Sequence, residues 1–324
     1  MTNLSHGRRT SCLVLTVACV VLAACGSGHA RLRGASSADT MVSIRAVTPL
    51  GPRVIDLDVS SSTVGRTAVR IILPRDYDRR PGARWPVLYL LHGCCDSYVS
   101  WTRSTDVVPF FATRNVLVVM PEAGRVGFYS DWLRGPRWET FHLVDLIRLL
   151  QQRYHASDIR AIAGVSMGGL GALDYAARHS GMFRAVASFS GIVDTRLSSR
   201  ESVSYQRLVR ANGANPDDMW GNPEANARSW AEHNPTDLVA GLRGTMLFIS
   251  AGNGQPGPLD GATAAPDPIE KSIHAENIAF TARLKQLRIP AIIDLSGNGT
   301  HDWPYWQREF HATWPLLARA LGTT

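Results

Sequence analysis

The sequence predicts an α/β fold, a mostly parallel central sheet with helices on both faces. Three observations carry that expectation. From Val54 to Leu321, strand-like runs alternate with helix-like runs, the pattern of a parallel sheet with helical crossovers. Two of the strand-like runs, Trp85 to Leu91 and Val116 to Met120, are apolar without interruption, as strands buried on both faces are. A tight turn, Gly164-Val165-Ser166-Met167-Gly168, joins an apolar run to a helix-like one.

The elements follow in order. Val54 to Val59 alternates apolar and polar like a half-buried strand. Thr67 to Leu73 reads as a second strand, with Gly65 suited to the turn between them. The two continuous apolar runs come next. Trp138 to Tyr154 has helical spacing, with Leu143, Val144, Leu146, Ile147 and Leu150 supplying an apolar face. Ile159 to Ala163 is the strand before the serine turn, and 168–179 the helix after it. Strands are expected at 185–189, 245–250 and 291–295, and helices at 273–287 and 306–321. Residues 192–243 break the rhythm and read as a cap-like insertion of short helices, a device that commonly shapes a substrate pocket.

With 324 residues and 45% apolar content, the chain is long enough for a large core and ordinary in composition. Its formal charge of +7 comes almost wholly from arginine, and no basic stripe interleaved with aromatics is present, which argues against nucleic acid as a partner. The N-terminus reads as a targeting segment: Arg8 and Arg9 precede an apolar run from Cys12 to Ala24, too short for a confident membrane span. The following Leu22-Ala23-Ala24-Cys25-Gly26 resembles a bacterial lipobox. Residues 1–24 are therefore expected to be a lipoprotein-type signal peptide, with Cys25 the lipidation site and membrane anchor. Their removal takes away two arginines and no acid, lowering the charge from +7 to +5. Residues 25–49, rich in Gly, Ala, Ser and Arg, read as a flexible tether to a folded domain at 50–324. Cys94 and Cys95 are adjacent, and adjacent cysteines seldom bridge because the ring is strained, so no disulfide is expected. No metal-type spacing of cysteine or histidine exists, and no cofactor is implied.

The chemistry begins at Ser166. Glycines on both sides let the chain bend sharply, and the following helix directs its N-terminal N–H groups toward a developing oxyanion. A serine nucleophile needs a base and an orienting acid. His301, in the loop Gly297 to Trp303 after the last strand, suits the base; the remaining late histidines fall in expected helices or in the cap. The acid should follow the strand at 245–250. Asp260 is preferred there, with Glu270 and then Asp267 as alternatives, and each also reads as a solvated carboxylate or a helix N-cap. The Met167 and Cys94 amides are the candidate oxyanion donors, Cys94 standing in the loop His92-Gly93-Cys94-Cys95-Asp96.

Several further segments carry a resemblance: Gly127 to Trp132, Trp138-Glu139-Thr140-Phe141, Asp218 to Gly221, Asn234-Pro235-Thr236, Gly252 to Pro256, and Asn298 to Trp306. With the serine turn, they resemble the putative-esterase group of α/β-hydrolases, which includes esterase D-like esterases and, more closely, the antigen 85 mycolyltransferases. The resemblance runs from about residue 53 to the C-terminus and implies an α/β-hydrolase fold with a Ser, acid, His triad. It supports Ser166 and His301 and favours Asp260, since the family's glutamate would align near Pro258. The sequence departs from the mycolyltransferases at His92 to Cys95, where they carry residues that help hold trehalose.

These readings imply an exported serine esterase acting on acyl ester or lipid substrates through an acyl-enzyme on Ser166. The alternative is an acyltransferase of the mycolyl type that passes the acyl group to a sugar or glycerol hydroxyl. A further alternative is a surface binding protein without catalysis. His92, Asp131 and Trp303, and beside them Asp96, are candidate substrate contacts by loop position.

Overall fold

Residues 42–323 are described in the computed structural model; the signal segment and Cys25 lie outside them. The strands are β1 (Val42–Pro49), β2 (Val54–Ser61), β3 (Gly65–Ile72), β4 (Trp85–Leu91), β5 (Leu117–Pro121), β6 (Ala156–Val165), β7 (Ala185–Phe189), β8 (Met246–Ser250) and β9 (Ile292–Asp294). They form one sheet in the order β1-β2-β3-β5-β4-β6-β7-β8-β9. The first three strands are an antiparallel meander, and β3 meets β5 antiparallel. From β5 to β9 every pairing is parallel. The fold is that of the α/β-hydrolases.

The uninterrupted apolar run of β4 is explained by burial on both faces. Val87, Tyr89 and Leu91 pack into one core with Leu170 and Leu173 of the Met167–Arg178 helix. Leu88 and Leu90 pack into the opposite core with Trp101, Phe310 and Leu317, the last two from the Trp303–Leu321 helix. Side chains alternate across a strand, so a strand with two buried faces has no polar position to spare.

Four local expectations are corrected. The tether does not extend to Pro49, because Val42–Pro49 pairs along β2 as an edge strand. Its residues are mostly exposed, so its apolar signal is weak. Short helices at Ser100–Ser104 and Val107–Phe110 follow β4 and were not expected. The helix expected from Ile273 starts at Pro268, which places Glu270 in its first turn. Finally, Cys94 and Cys95 are joined as a vicinal disulfide. Cys95 takes a left-handed φ of 65°, one of few non-glycine residues to do so.

Residues 192–243 contain the helices Ser199–Ala211, Pro216–Met219, Ala227–Ala231 and Pro235–Leu238. Among the described residues, no helix is long and apolar enough to cross a membrane.

Candidate active site

Ser166 links β6 to the Met167–Arg178 helix at φ 53°, ψ −119°. A non-glycine residue held there costs on the order of 1–3 kcal/mol, a cost met by the surrounding structure. The Ser166 N–H donates to the Phe189 carbonyl of β7 at 3.0 Å, and its own carbonyl accepts from Gly169. Two glycines make the bend sterically feasible. A Cβ on Gly164 would lie 2.1 Å from the Gly168 carbonyl oxygen, and one on Gly168 would lie 2.4 Å from the Leu91 carbonyl oxygen.

The sheet brings the second wall of the site beside this turn. Leu91 at the end of β4 pairs with Gly164 of β6, so the loop after β4 runs next to Ser166. A Cβ on Gly93 would sit 3.3 Å from the Ser166 Cβ. His92 is buried beneath the loop, not open to a substrate. Its Nε2 accepts from the Ala123 N–H at 3.1 Å, so its Nδ1–H donates to the Gly93 carbonyl at 2.8 Å. The Tyr129 hydroxyl donates to the His92 carbonyl at 2.9 Å. Its expected substrate contact is therefore corrected: His92 braces the loop from below.

His301 Nδ1 lies 2.6 Å from Glu270 Oε2. Glu270 is fully buried. Its Oε1 accepts from the Ser190 hydroxyl at 2.7 Å and from the Gly252 N–H at 2.7 Å. The Trp306 indole N–H donates in turn to the Ser190 oxygen at 3.0 Å, and the Trp306 ring stands edge-on to the His301 ring. A buried carboxylate needs donors, and here an imidazole, a hydroxyl and an amide supply them.

Asp260 does not touch His301. Its carboxylate accepts from the Gly257 N–H at 2.7 Å, the Tyr305 hydroxyl at 2.6 Å and the Thr300 hydroxyl at 2.5 Å. The expectation that Asp260 orients the histidine is corrected in favour of Glu270. Asp260 instead ties its own loop to Thr300, one residue before the histidine. Hydrogen bonds to these donors outweigh burial and hold its carboxyl below the usual range. Asp267 does a third job. One oxygen caps the Pro268–Gln286 helix through the Ile269 and Glu270 N–H groups, and the other accepts from the His301 N–H at 2.8 Å. The sequence assigns no role to Ser190, and it marks Gly252 and Trp306 only as parts of segments that carry the resemblance. A usable signal was present for Glu270: Asp267-Pro268-Ile269-Glu270 has an N-cap aspartate, proline at the first helical position and an acid at the third.

Ser166, His301, Cys94 and Cys95 line one cavity of about 540 Å3. Its remaining walls include Ile192, Tyr205, Leu208, Ile269 and Ile273, with Arg200 and Glu201 among the polar groups. Three other expected contacts are engaged with neighbours of their own. Asp131 accepts from the Thr140 N–H and hydroxyl and faces Arg137. Trp303 packs edge-on against Trp101 and Trp306. Asp96 pairs with Arg103. A separate buried group, Glu139, Asp174 and His233, brings metal-type ligand atoms together, but the Arg178 guanidinium stands among them, 2.7 Å from Glu139 and 2.9 Å from His233.

A serine at a strained strand–helix turn, with a histidine lining the same cavity and a buried glutamate bonded to that histidine, marks the hydrolase class of this fold. Comparison with known proteins agrees. The family model described as "Putative esterase" matches residues 60–317, and the chain belongs to that family. Diacylglycerol acyltransferase/mycolyltransferase Ag85A of Mycobacterium tuberculosis (strain ATCC 25618 / H37Rv) is 31% identical over 258 residues, covering 75% of this chain and 76% of that protein. Ag85B of Mycobacterium leprae (strain TN) is 31% identical over 252 residues, covering 73% and 76%. Among solved structures, Mycobacterium tuberculosis MPT51 (FbpC1) superposes with a TM-score of 0.67 at 18% identity, covering 85% of this chain and 99% of that one. FphF, a fluorophosphonate-binding serine hydrolase of Staphylococcus aureus, superposes at 0.65 with 20% identity, covering 82% and 99%. At these identities the two structures report the fold.

Proposed function

We propose that the protein is an exported serine esterase that cleaves carboxylic esters through an acyl-enzyme on Ser166. The observation that carries this reading is the contact of His301 Nδ1 with buried Glu270, His301 lining the same cavity as Ser166. Glu270 accepts a hydrogen bond from the imidazole Nδ1–H, which leaves Nε2 as the base. His301 takes the serine proton as Ser166 Oγ attacks the ester carbonyl, then gives it to the departing alcohol. Glu270 stabilises the imidazolium that forms between those two steps. The Met167 N–H, first in its helix, and the Cys94 N–H face the developing oxyanion; a donor of this kind contributes about 3–4 kcal/mol. Water then takes the place of the alcohol and releases the acid.

The size of the cavity favours a compact acyl group. At about 540 Å3 it lies within the range of small-molecule sites, roughly 300–1,000 Å3. A second reading keeps the acyl-enzyme and passes the acyl group to a sugar or glycerol hydroxyl. The relatives named as diacylglycerol acyltransferase/mycolyltransferases favour it, as does the apolar wall of Ile192, Leu208, Ile269 and Ile273. In either case the readings of residues 1–24 as a signal peptide and of Cys25 as a lipid anchor put the enzyme at the cell envelope.

The test is hydrolysis of p-nitrophenyl esters of increasing acyl length, with and without trehalose or glycerol, by the wild type and Ser166→Ala. The esterase reading expects turnover of short esters that falls at least about 10^4-fold in the variant. Acyl transfer to an added hydroxyl with preference for long chains would put the transferase first. Equal, background-level hydrolysis by both proteins would overturn both and leave a binding protein.

A further inference from the structure

Cys94 and Cys95, joined as a disulfide, line the cavity that holds Ser166 and His301. A disulfide ordinarily stabilises by closing a long loop. This one spans a single peptide bond and ties no two elements together, so its opening leaves the sheet and its helices as they are. What it does constrain is local. Cys95 is held at φ 65°. Its N–H donates to the Arg125 carbonyl at 2.7 Å, and its sulfur accepts from the Asn212 side-chain amide at 3.3 Å. Asn212 directly follows the Ser199–Ala211 helix, which also lines the cavity through Tyr205 and Leu208. Both cysteines are partly exposed and both line the cavity, which brings a small thiol entering it up to the pair.

We propose that Cys94–Cys95 is a thiol–disulfide exchange site whose oxidation state sets turnover at Ser166, the ligand being a small dithiol reductant. The proposal rests on the reading of the Cys94 N–H as an oxyanion donor. Exchange runs in two steps. One thiolate of the dithiol attacks a sulfur of the pair, forming a mixed disulfide and expelling the other cysteine as a thiolate. The second thiolate of the dithiol then attacks the mixed disulfide, closing its own ring and expelling the second cysteine. Two electrons and two protons pass from the dithiol to Cys94 and Cys95. With the ring open, Cys95 is free to leave the left-handed region, which a non-glycine residue seldom occupies. The Cys94 torsions are released with it, and the amide that faces the oxyanion loses its fixed direction. Preorganised donors owe their effect to that fixed direction.

The experiment uses the full chain, purified without reductant. Thiols are alkylated under denaturing conditions before and after dithiothreitol treatment, and the Cys94–Cys95 peptide is mapped by mass spectrometry. Hydrolysis of a short p-nitrophenyl ester is measured on both forms after anaerobic removal of the reductant. The proposal expects the pair to resist alkylation as purified and to react after reduction. It expects kcat to fall about tenfold or more with KM little changed, and to recover on reoxidation. Cys95→Ser, which cannot form the ring, should differ by less than about twofold between treated and untreated samples, well below the roughly 100-fold scale of one fixed donor. Alkylation of both cysteines before reduction would overturn the proposal, as would equal kcat in the two mapped forms. Absence of turnover in either form, matched by Ser166→Ala, would sink the functional reading and this inference with it.

Discussion

The nucleophile side of the cavity is built from main chain, and the base side from side chains. Around Ser166, the bend is set by Gly164 and Gly168, by the pairing of β4 with β6, and by the serine N–H bonded to Phe189. Around His301, position is set by Glu270, Asp267, Ser190 and Trp306, which come from three separate stretches of chain. Main-chain packing has no alternative arrangement within reach, whereas each side-chain bond can be removed singly. The first region should therefore fail as a whole when touched, and the second should fail by degrees.

Gly168→Ala is the most severe test of that contrast. Its Cβ would meet the Leu91 and His92 carbonyl oxygens at 2.4 and 2.7 Å, both backbone atoms that cannot turn aside. We expect a loss of about 3 kcal/mol or more, or failure to fold, measured by denaturant unfolding. A stable, active variant would mean that the two loops are looser than their packing indicates.

Asp267→Ala should act more gently. It removes a helix cap, at a cost of about 1 kcal/mol of stability, and the anchor of the His301 N–H. A fall in kcat of about tenfold, or 1.4 kcal/mol, is expected in ester hydrolysis, with the fold retained by circular dichroism. Unchanged kcat would show that Glu270 alone positions the imidazole.

The smallest effect concerns Glu276, buried behind the cavity wall. It accepts from the Val193 and Asp194 N–H groups and from the Tyr205 hydroxyl. Burial pushes its carboxyl up to about 8. The unfolded chain releases this proton at a lower pH than the folded one, so stability from this group falls as pH rises from about 4.5 to about 8. Glu276→Gln, which stays neutral, should lose less Tm than the wild type between about pH 5 and about pH 8, by a few degrees. Parallel melting curves would contradict that.

The contrast also explains which parts of the site the sequence discloses. The serine turn is local: its glycines, the strand before it and the helix after it are contiguous, so Ser166 and the Cys94 loop can be read directly. His301 is legible as the histidine of the last loop. The acid is not, because the choice depends on whether the loop after β8 or the helix beyond it faces the histidine. Asp260 and Glu270 are ten positions apart, and burial decides between them: Glu270 is sealed beneath Ser190 and Gly252, while Asp260 is spent on Thr300 and Tyr305. The vicinal disulfide is not legible for a similar reason, since a general statement of ring strain leaves out the backbone conformation of the pair, in which Cys95 stands at φ 65°.

The measurement that bears most directly on this account compares Glu270→Gln with Asp260→Asn in steady-state ester hydrolysis. Both changes keep shape and remove charge. If Glu270 orients His301, Glu270→Gln lowers kcat by about 10^3–10^4-fold while Asp260→Asn stays within about tenfold of the wild type. The reverse order, with Glu270→Gln near wild type and Asp260→Asn inactive, would contradict it.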